Sequence, residues 1–475
     1  MLYMASPVAG AAINTNRTKV VGTGLTLKSS IDRETLGLSA EAAKEWQQHT
    51  EREFRLWAGK KQNCDALALN NFESLQQLAL ISWLMNGDSF ALIKQGRPDR
   101  MTPYTLRIHL VEADRVATPD KAACACWVGG TEGRNPNNQN KIFDGVEVDA
   151  GGSVVAYHIR NTYPFQLTAE ETKWQRVAAY GERTGLPNIL HIMNSERCEQ
   201  YRGVSYLAPV IEPLLQLRRY TESELMAALV QSFFSAWIYT ETNSGEMPFD
   251  EVGSVVGPDG KNYAETAAVG ENEYQMGPGT IAHLGPNEKI TFGNPNIPTA
   301  GFENFVKTLS RLIGADLEVP YDVLIKEFNS SYSASRGALL EAWEGMKMRR
   351  AWFVDDFCQP VYEIWLAEAV ALGRVKAPGF FNDPLLKAAW SGARWIGPIQ
   401  GQLDPLKEAK AAILLINRGI KTHEQVTREL GGGDWEANVE QVKRENELLR
   451  QAGCKDFASQ QNETALLNAK EEDND

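Results

Sequence analysis

The chain has 475 residues, 43% hydrophobic and 23% charged, which is ordinary for a folded protein with roughly three domains' worth of material. Its net charge of −13 excludes a tight, general DNA binder, which needs surplus Lys and Arg on its contact face, but allows a surface that DNA passes without sticking. Six scattered cysteines exclude a small disulfide scaffold, and the apolar run "LALISWLM" stops at Asn86, short of the ~18 residues of a membrane span. The N-terminus lacks the basic start and apolar core of a signal peptide, so the expected setting is soluble and inside a cell.

In chain order, Ser39 reads as the N-cap of "AEAAKEWQQHTEREFRLWAGK", whose Trp46, Phe54 and Trp57 recur at near-helical spacing. A second helix, "FESLQQLALISWLMNG", ends at Asn86-Gly87. Short strands follow in "SFALIK" and "LRIHLVE". "GVEVD" and "SVVAYHIR" flank Ala150-Gly151-Gly152 as a hairpin. A long helix is predicted from about Leu207 to Ile238, with Pro209 in its first turn.

From Glu241 to Ala300 the chain turns rich in Gly, Pro and Asn. Nine acidic residues stand against two lysines there, a local −7, and strands are predicted near "GTIAHL" and "KITF". A flanking helix, "FENFVKTLSRLIGADL", presents Phe302, Phe305, Leu309, Leu312 and Ile313 on one face. The longest helical stretch, Ala334 to Leu372, would run roughly 50 Å or more at 1.5 Å per residue. Pro360 inside it predicts a kink or break. Three capped helices follow: Asp404 before Pro405, the Thr422/Gln425 capping box, and Asp434 before Trp435. The acidic tail is expected to be disordered.

Catalytic signatures are missing. Gly22-Thr23-Gly24 with Lys28-Ser29 lacks the G-x-x-x-x-G-K-[ST] spacing of a phosphate loop and reads as a tight turn between extended segments. Cys124 and Cys126 form a lone C-x-C without a second pair at zinc spacing, and the six histidines show no H-E-x-x-H. No metal or other cofactor is expected. The hydroxyl-rich stretch "EFNSSYSASRGALLEAW" contains Ser333-Ala334-Ser335-Arg336, but an arginine stays protonated and makes a poor base for a serine. Ser331 or Ser333 fits instead as the N-cap of the long helix.

Taken in order, "NRTKVVGTGLTLKSS", "EQYRGVSYLAPVIEPL", "GPGTIAHLGPNEKITF", "FVKTLSRLIGADLEVPYDVL", "NSSYSASRGALLEAW" and "LDPLKEAKAAILLINRGIKTHEQVTRELGGGDW" resemble the portal proteins of tailed double-stranded DNA phages, in the branch typified by phage lambda. The resemblance runs from about Asn16 to Arg450. It implies an α+β, predominantly helical portal fold with an α/β wing, paired stem helices, a small β-containing clip, a long kinked helix and a helical crown. Laid on this chain, the wing is 1–203, the first stem helix 204–240, the clip 241–300 and the second stem helix 301–318. The tunnel loop is 319–333, the long kinked wing helix with its connection 334–400, the crown 401–452 and the acidic tail 453–475. Lys326, Glu327, Phe328, Asn329, Ser330, Ser331 and Tyr332 then fall where the family's tunnel loop lines the channel.

The resemblance further implies a structural protein rather than an enzyme. It implies a dodecameric ring of this chain at one capsid vertex of the virion, assembled in the host cytoplasm. Double-stranded DNA passes non-specifically through its channel during packaging and ejection. The implied partners are the terminase large subunit, the head–tail connector or adaptor, and the major capsid and scaffolding proteins, with no membrane. Members usually carry a longer, basic arm before "VVGTGL", which begins here at Val20, so that arm's contacts are not carried over. The acidic balance fits two placements, lining the channel to repel DNA phosphates or facing outward as solubilising charge. Two other classes compete on sequence grounds: a phage-encoded hydrolase with a helical assembly domain, and an ATP-driven translocase. The first would need a nucleophile–base pair and the second the missing phosphate loop.

Overall fold

In the computed structural model, Ser6 accepts a hydrogen bond from the Ala9 amide and Pro7 occupies the first turn, so a helix starts at once (α1, Pro7–Val20). The sequence reading predicted no helix here and took the chain next to the Gly22 turn as extended. Asn14, Thr15, Asn16 and Thr18 are weak helix formers, but burial of Ala9, Ala12, Ile13, Asn16 and Val20 outweighs propensity. The expected turn does follow, with Gly22 at φ 62, and leads into β1 (Thr26–Ser29). The structure describes residues 2–120, 122–127, 130–164, 171–233, 237–240, 254–256, 262–264, 288–291, 301–327, 332–401, 404–431 and 433–452.

Ser39 caps α2 (Ala40–Ala58) through the Ala42 amide, and α3 (Phe72–Asn86) ends on Gly87 at φ 93, as the residues predict. β2 (Asp88–Gln95) and β3 (Leu106–Glu112) pair antiparallel. A six-stranded antiparallel sheet follows in sequential order: β4 (Ala123–Trp127), β5 (Gly130–Arg134), β6 (Lys141–Phe143), β7 (Val146–Val148), β8 (Val154–Arg160) and β9 (Trp174–Ala178). The predicted hairpin is β7–β8; its four neighbours are too short or too polar to announce themselves. β10 (Ile189–Met193) returns to β2, making a three-stranded sheet β10-β2-β3. Phe90, Val111, Val146, Val148, Tyr157 and Ile189 form one buried cluster from both sheets.

α4 (Ile211–Phe233) stops before the expected end at Ile238. The aromatic and β-branched run Trp237–Thr240 is instead strand β11, paired with the late strand Glu288–Thr291. Between them β12 (Ser254–Val256) and β13 (Asn262–Ala264) pair, and Glu288–Thr291 is β14. The predicted strand near "GTIAHL" lies outside the described residues. α5 (Phe302–Asp316) matches its predicted span; Leu309 and Ile313 are buried while Phe305 and Leu312 are exposed. The chain divides into two compact units, Met1–Leu214 with Ser310–Asp475, and Leu215–Leu309. Within the second, Tyr220 packs on Phe302 and Phe305, with ring centroids 5.4 and 4.7 Å away.

After α6 (Tyr321–Ile325) comes the long helix, divided into α7 (Tyr332–Phe353) and α8 (Gln359–Ala371). Pro360 explains the division: it has no N–H to give the Asp356 carbonyl, and its ring crowds that oxygen. Val354–Cys358 absorb the mismatch by winding as a π turn. On this stretch Phe357, Tyr362 and Trp365 are buried against Phe54, Phe72 and Tyr104, and Trp395 packs on Phe54 and Phe72, forming the aromatic core around α2 and α3. Arg350 of α7 reaches α1, donating to the carbonyls of Lys19 (2.7 Å) and Val20 (2.8 Å), where the helix dipole is negative, and to Pro398 (2.8 Å).

α9 (Pro384–Ser391) leads to β15 (Ala393–Ile396), which pairs antiparallel with β1. The last three helices are α10 (Pro405–Asn417), α11 (His423–Gly431) and α12 (Trp435–Gln451). Their caps are those predicted: Asp404 accepts from the Lys407 amide, Thr422 and Gln425 cap reciprocally, and Asp434 accepts from the Glu436 amide. α12 is held to the body by Lys28–Asp434 and by Lys44 with Glu436 and Glu440. The tail, 453–475, lies outside the described residues. Among the described residues no helix is long and apolar enough to cross a membrane.

The π turn yields a testable consequence. Asp356 accepts from the Met193 amide at 3.3 Å, and burial, aided by Asp355, raises its carboxyl to about 6. A raised carboxyl contributes stability that is present below its ordinary value and is lost as pH rises through 6. Asp356→Asn keeps an oxygen for Met193 without the charge. It is expected to add about 1–2 kcal/mol at pH 8, less than the full two-unit linkage because water still reaches the group. Thermal midpoints between pH 5 and 8 should show the variant's advantage opening as pH rises.

Candidate functional site

The segment singled out in the sequence begins where α5 ends. Leu317 and Glu318 close that helix, and Glu318 sits at φ 50, in the left-handed region. Three distant side chains converge on this turn. Tyr206 donates its hydroxyl to the Leu317 carbonyl. Arg349 of α7 donates to the Glu318 carboxylate at 2.7 Å and to the Asn16 carbonyl oxygen at 3.2 Å. Asn16, fully buried in α1, gives its two amide hydrogens to the Ala12 carbonyl (3.0 Å) and the Tyr206 oxygen (3.2 Å). The Arg349 guanidinium also lies over the Tyr206 ring, 4.9 Å from its centroid. Burial raises the Tyr206 hydroxyl, so it stays protonated and able to donate.

Downstream, Val319 and Pro320 lead into α6, which ends on Lys326 at φ 61 and ψ 36. Arg311 lies over the Tyr321 ring at 5.4 Å, Tyr321 donates to Glu327 at 3.0 Å, and Ser335 reaches Asp322 at 3.5 Å. A groove of 1080 Å³ opens between these elements, lined by residues including Arg311, Glu318, Asp322, Glu341, Lys347 and Met348. Of the residues expected at the site, Lys326 and Glu327 are placed in this way. Phe328, Asn329, Ser330 and Ser331 lie outside the described residues. Tyr332 opens α7, so Ser333 falls inside the first turn and Ser331 immediately before it.

The arrangement is suited to holding a loop's two ends and carries no constellation for chemistry. Ser335 reaches the Asp322 carboxylate only at 3.5 Å, and Arg336 reaches toward Glu408 at 3.9 Å. Among the described residues no group of three or more His, Cys, Asp or Glu could hold a metal. The side chains of Cys124 and Cys126 lie outside the described residues. Buried Cys64 has its thiol pushed up to about 12 by burial, so it is no nucleophile.

Two buried carboxylates stand out electrostatically, and both are consumed structurally. Burial alone would raise Glu147, but Arg176, Asn135, Asn138, Asn140 and His158 all donate to it and hold it well below the usual carboxylate range. Asp88 is held at about 2 in spite of burial by His191 and Arg202. The sequence reading did not single out Asn16, Tyr206, Glu318 or Arg349. Tyr206 stood in the quoted "EQYRGVSYLAPVIEPL" and Glu318 in "FVKTLSRLIGADLEVPYDVL", but no spacing signal joins residues so far apart.

Comparison with known proteins gives this geometry its context. Over 464 residues the chain is 23% identical to portal protein B of Escherichia phage lambda, covering 94% of this chain and 82% of that one. It is 26% identical over 336 residues to the portal protein of Escherichia phage N15, covering 67% of this chain and 62% of that protein's length. Among solved structures, the neck of a native gene transfer agent particle is similar with a TM-score of 0.42 and 12% identity, covering 91% of each chain. The family model for the phage portal protein, lambda family, matches residues 1–350, and with most of its length so matched this chain belongs to that family.

Proposed function

We propose that the protein acts as the portal of a tailed double-stranded DNA phage. In this reading twelve copies form a ring at one capsid vertex of the virion, with a channel for packaging and ejecting the genome. The observation that carries it is the family match over residues 1–350, a span that includes the segments assigned to the N-terminal wing, stem, clip and tunnel loop and the start of the kinked wing helix. α4 and α5 are the stem, 241–300 the clip that docks the terminase large subunit and the head–tail connector, α7 and α8 the kinked wing helix, and α10 to α12 the crown. The wing meets the major capsid and scaffolding proteins during assembly in the host cytoplasm. Lys326 to Tyr332 line the narrowest part of the channel. The role is structural, without catalysis.

The surface of α4 supports assembly. Leu215, Leu225 and Met226 are exposed, and at 100° per residue they fall within an arc of about 100°. Tyr220, which packs on Phe302 and Phe305, lies on the opposite side. One apolar face is thus spent inside the unit and the other is uncovered. A head-to-tail ring buries such a face without needing a two-fold axis. Electron microscopy of the purified protein, viewed down the particle axis, tests the reading. A closed ring with a hole wide enough for duplex DNA is expected. A compact, non-annular particle with measurable ATP or ester turnover would overturn it.

A further inference from the structure

α10, α11 and α12 sit on the rest of the chain with little burial. Among the described residues of α11 and α12 none is buried, and in α10 only Ala412 is. Charge joins them to the body. Asp434, the N-cap of α12, pairs with Lys28 of β1. Glu436 and Glu440 of α12 meet Lys44 of α2 at 3.2 and 2.9 Å. Glu424, in the first turn of α11, meets Arg394 of β15 at 3.0 Å. Glu408 of α10 lies 3.9 Å from Arg336 of α7. In each pair the cation belongs to the body and the carboxylate to the three helices.

The β1–β15 register explains why the body offers cations at this place. Leu27 stands opposite Trp395, and Lys28 opposite Arg394. Side chains alternate across a strand. Leu27 is buried and Trp395 packs on Phe54 and Phe72, so the two cations share the outer face. Like charges directly opposite each other destabilise a ladder. Glu51 of the body reaches Lys28 only at 3.9 Å. The nearer carboxylates come from the docked helices, Asp434 for Lys28 and Glu424 for Arg394. The contact is also open to solvent. A cleft of 290 Å³ lies between α2 and α12, lined by residues including Lys28, Lys44, Glu51, Glu436 and Glu440. The Lys44, Glu436 and Glu440 side chains are 41, 54 and 63% exposed, so dissolved ions reach them.

We propose that α10–α12 form a charge-docked module, that Lys28, Arg394 and Lys44 are its seat on the body, and that ionic strength decides whether the seat is occupied. The docking lies within one chain, so it holds whether or not twelve copies form a ring. A module seated by apolar burial would behave differently, because screening charges does not loosen such contacts.

Zero-length cross-linking of the whole purified protein tests this. A carbodiimide condenses the Lys44 amine with the Glu436 or Glu440 carboxylate where they touch. The Lys421–Glu429 pair lies within the module, is similarly exposed, and serves as the internal control. Salt screens both pairs alike, so the ratio of the two links follows docking. Between ~0.1 and ~1 M sodium chloride the Debye length contracts from roughly 10 to roughly 3 Å, and the ratio should fall several-fold. Arg394→Glu should produce that fall at low salt, and adding Glu424→Arg should restore the ratio, although neither residue takes part in either link. The melting point of Arg394→Glu should stay near the parent's, because Arg394 is exposed. Should it drop, the salt titration of the parent decides alone. A ratio that does not move with salt overturns the proposal. So does an Arg394→Glu ratio equal to the parent's, or one that Glu424→Arg fails to restore.

Discussion

Arg202→Met is expected to lower the folding stability of the chain by about 3–5 kcal/mol, read as a lower denaturation midpoint. The guanidinium binds both oxygens of Asp88, at 2.6 and 3.2 Å, and also donates to the carbonyls of Val116 (2.8 Å) and Ala113 (3.2 Å) and to the Asp144 carboxylate (3.1 Å). Asp88 is only 1% exposed, so removing the cation leaves a buried charge with His191 and the Gly203 amide as remaining donors. The loss comes from stranding that charge, so Asp88→Asn in the same background should recover part of it. The pH dependence gives an independent reading. With its folded-state value held at about 2, Asp88 contributes stability above the ordinary carboxylate range that fades as pH falls toward 2. The parent should therefore weaken through that window, and Arg202→Met should weaken less.

Gly203→Ala is expected to be at least as damaging, with little soluble folded chain recovered. A methyl group at Gly203 would overlap the Gly87 carbonyl, and one at Gly87 would stand 2.6 Å from the Gly203 carbonyl carbon. Both obstacles are backbone, so neither can rotate away, and Gly87 also needs its φ of 93 to end α3. The two glycines let the chain cross the end of α3 on its way to α4. Gly337→Ala is the control: no atom lies within 4 Å of its added methyl group, and an alanine favours α7 by about 0.5–1 kcal/mol. Expression yield and melting point of the two variants should therefore move in opposite directions.

What the sequence made legible was local. Ser39, Gly87, Asp404, Thr422 with Gln425, and Asp434 act within one helical turn, and each caps the helix it was assigned to. Pro360 announced an interruption, but that the interruption would be a π turn depended on how Phe357 and Cys358 are buried. α1 was missed because its helix is stabilised by burial against distant segments rather than by propensity. The strands β4, β5, β6 and β9 were missed because alternation over three to five residues is hard to distinguish from loop. The site divides in the same way. The loop position followed from its resemblance to portal proteins, while the group formed by Asn16, Tyr206, Glu318 and Arg349 exists only once the chain has folded.

The pairing of β1 with β15 sets a timetable for biosynthesis. Thr26 lies opposite Ile396, so one of the first strands to leave the ribosome stays unpaired until nearly the whole chain has followed. At ~5–20 residues per second that wait is roughly 20–70 s. During it, the aromatic faces of α2 and α3 lack Tyr362, Trp365 and Trp395, the rings that later cover them. The nascent chain therefore carries an exposed aromatic surface for most of its synthesis, which makes it a natural client for chaperones and gives premature termination a direct route to aggregation.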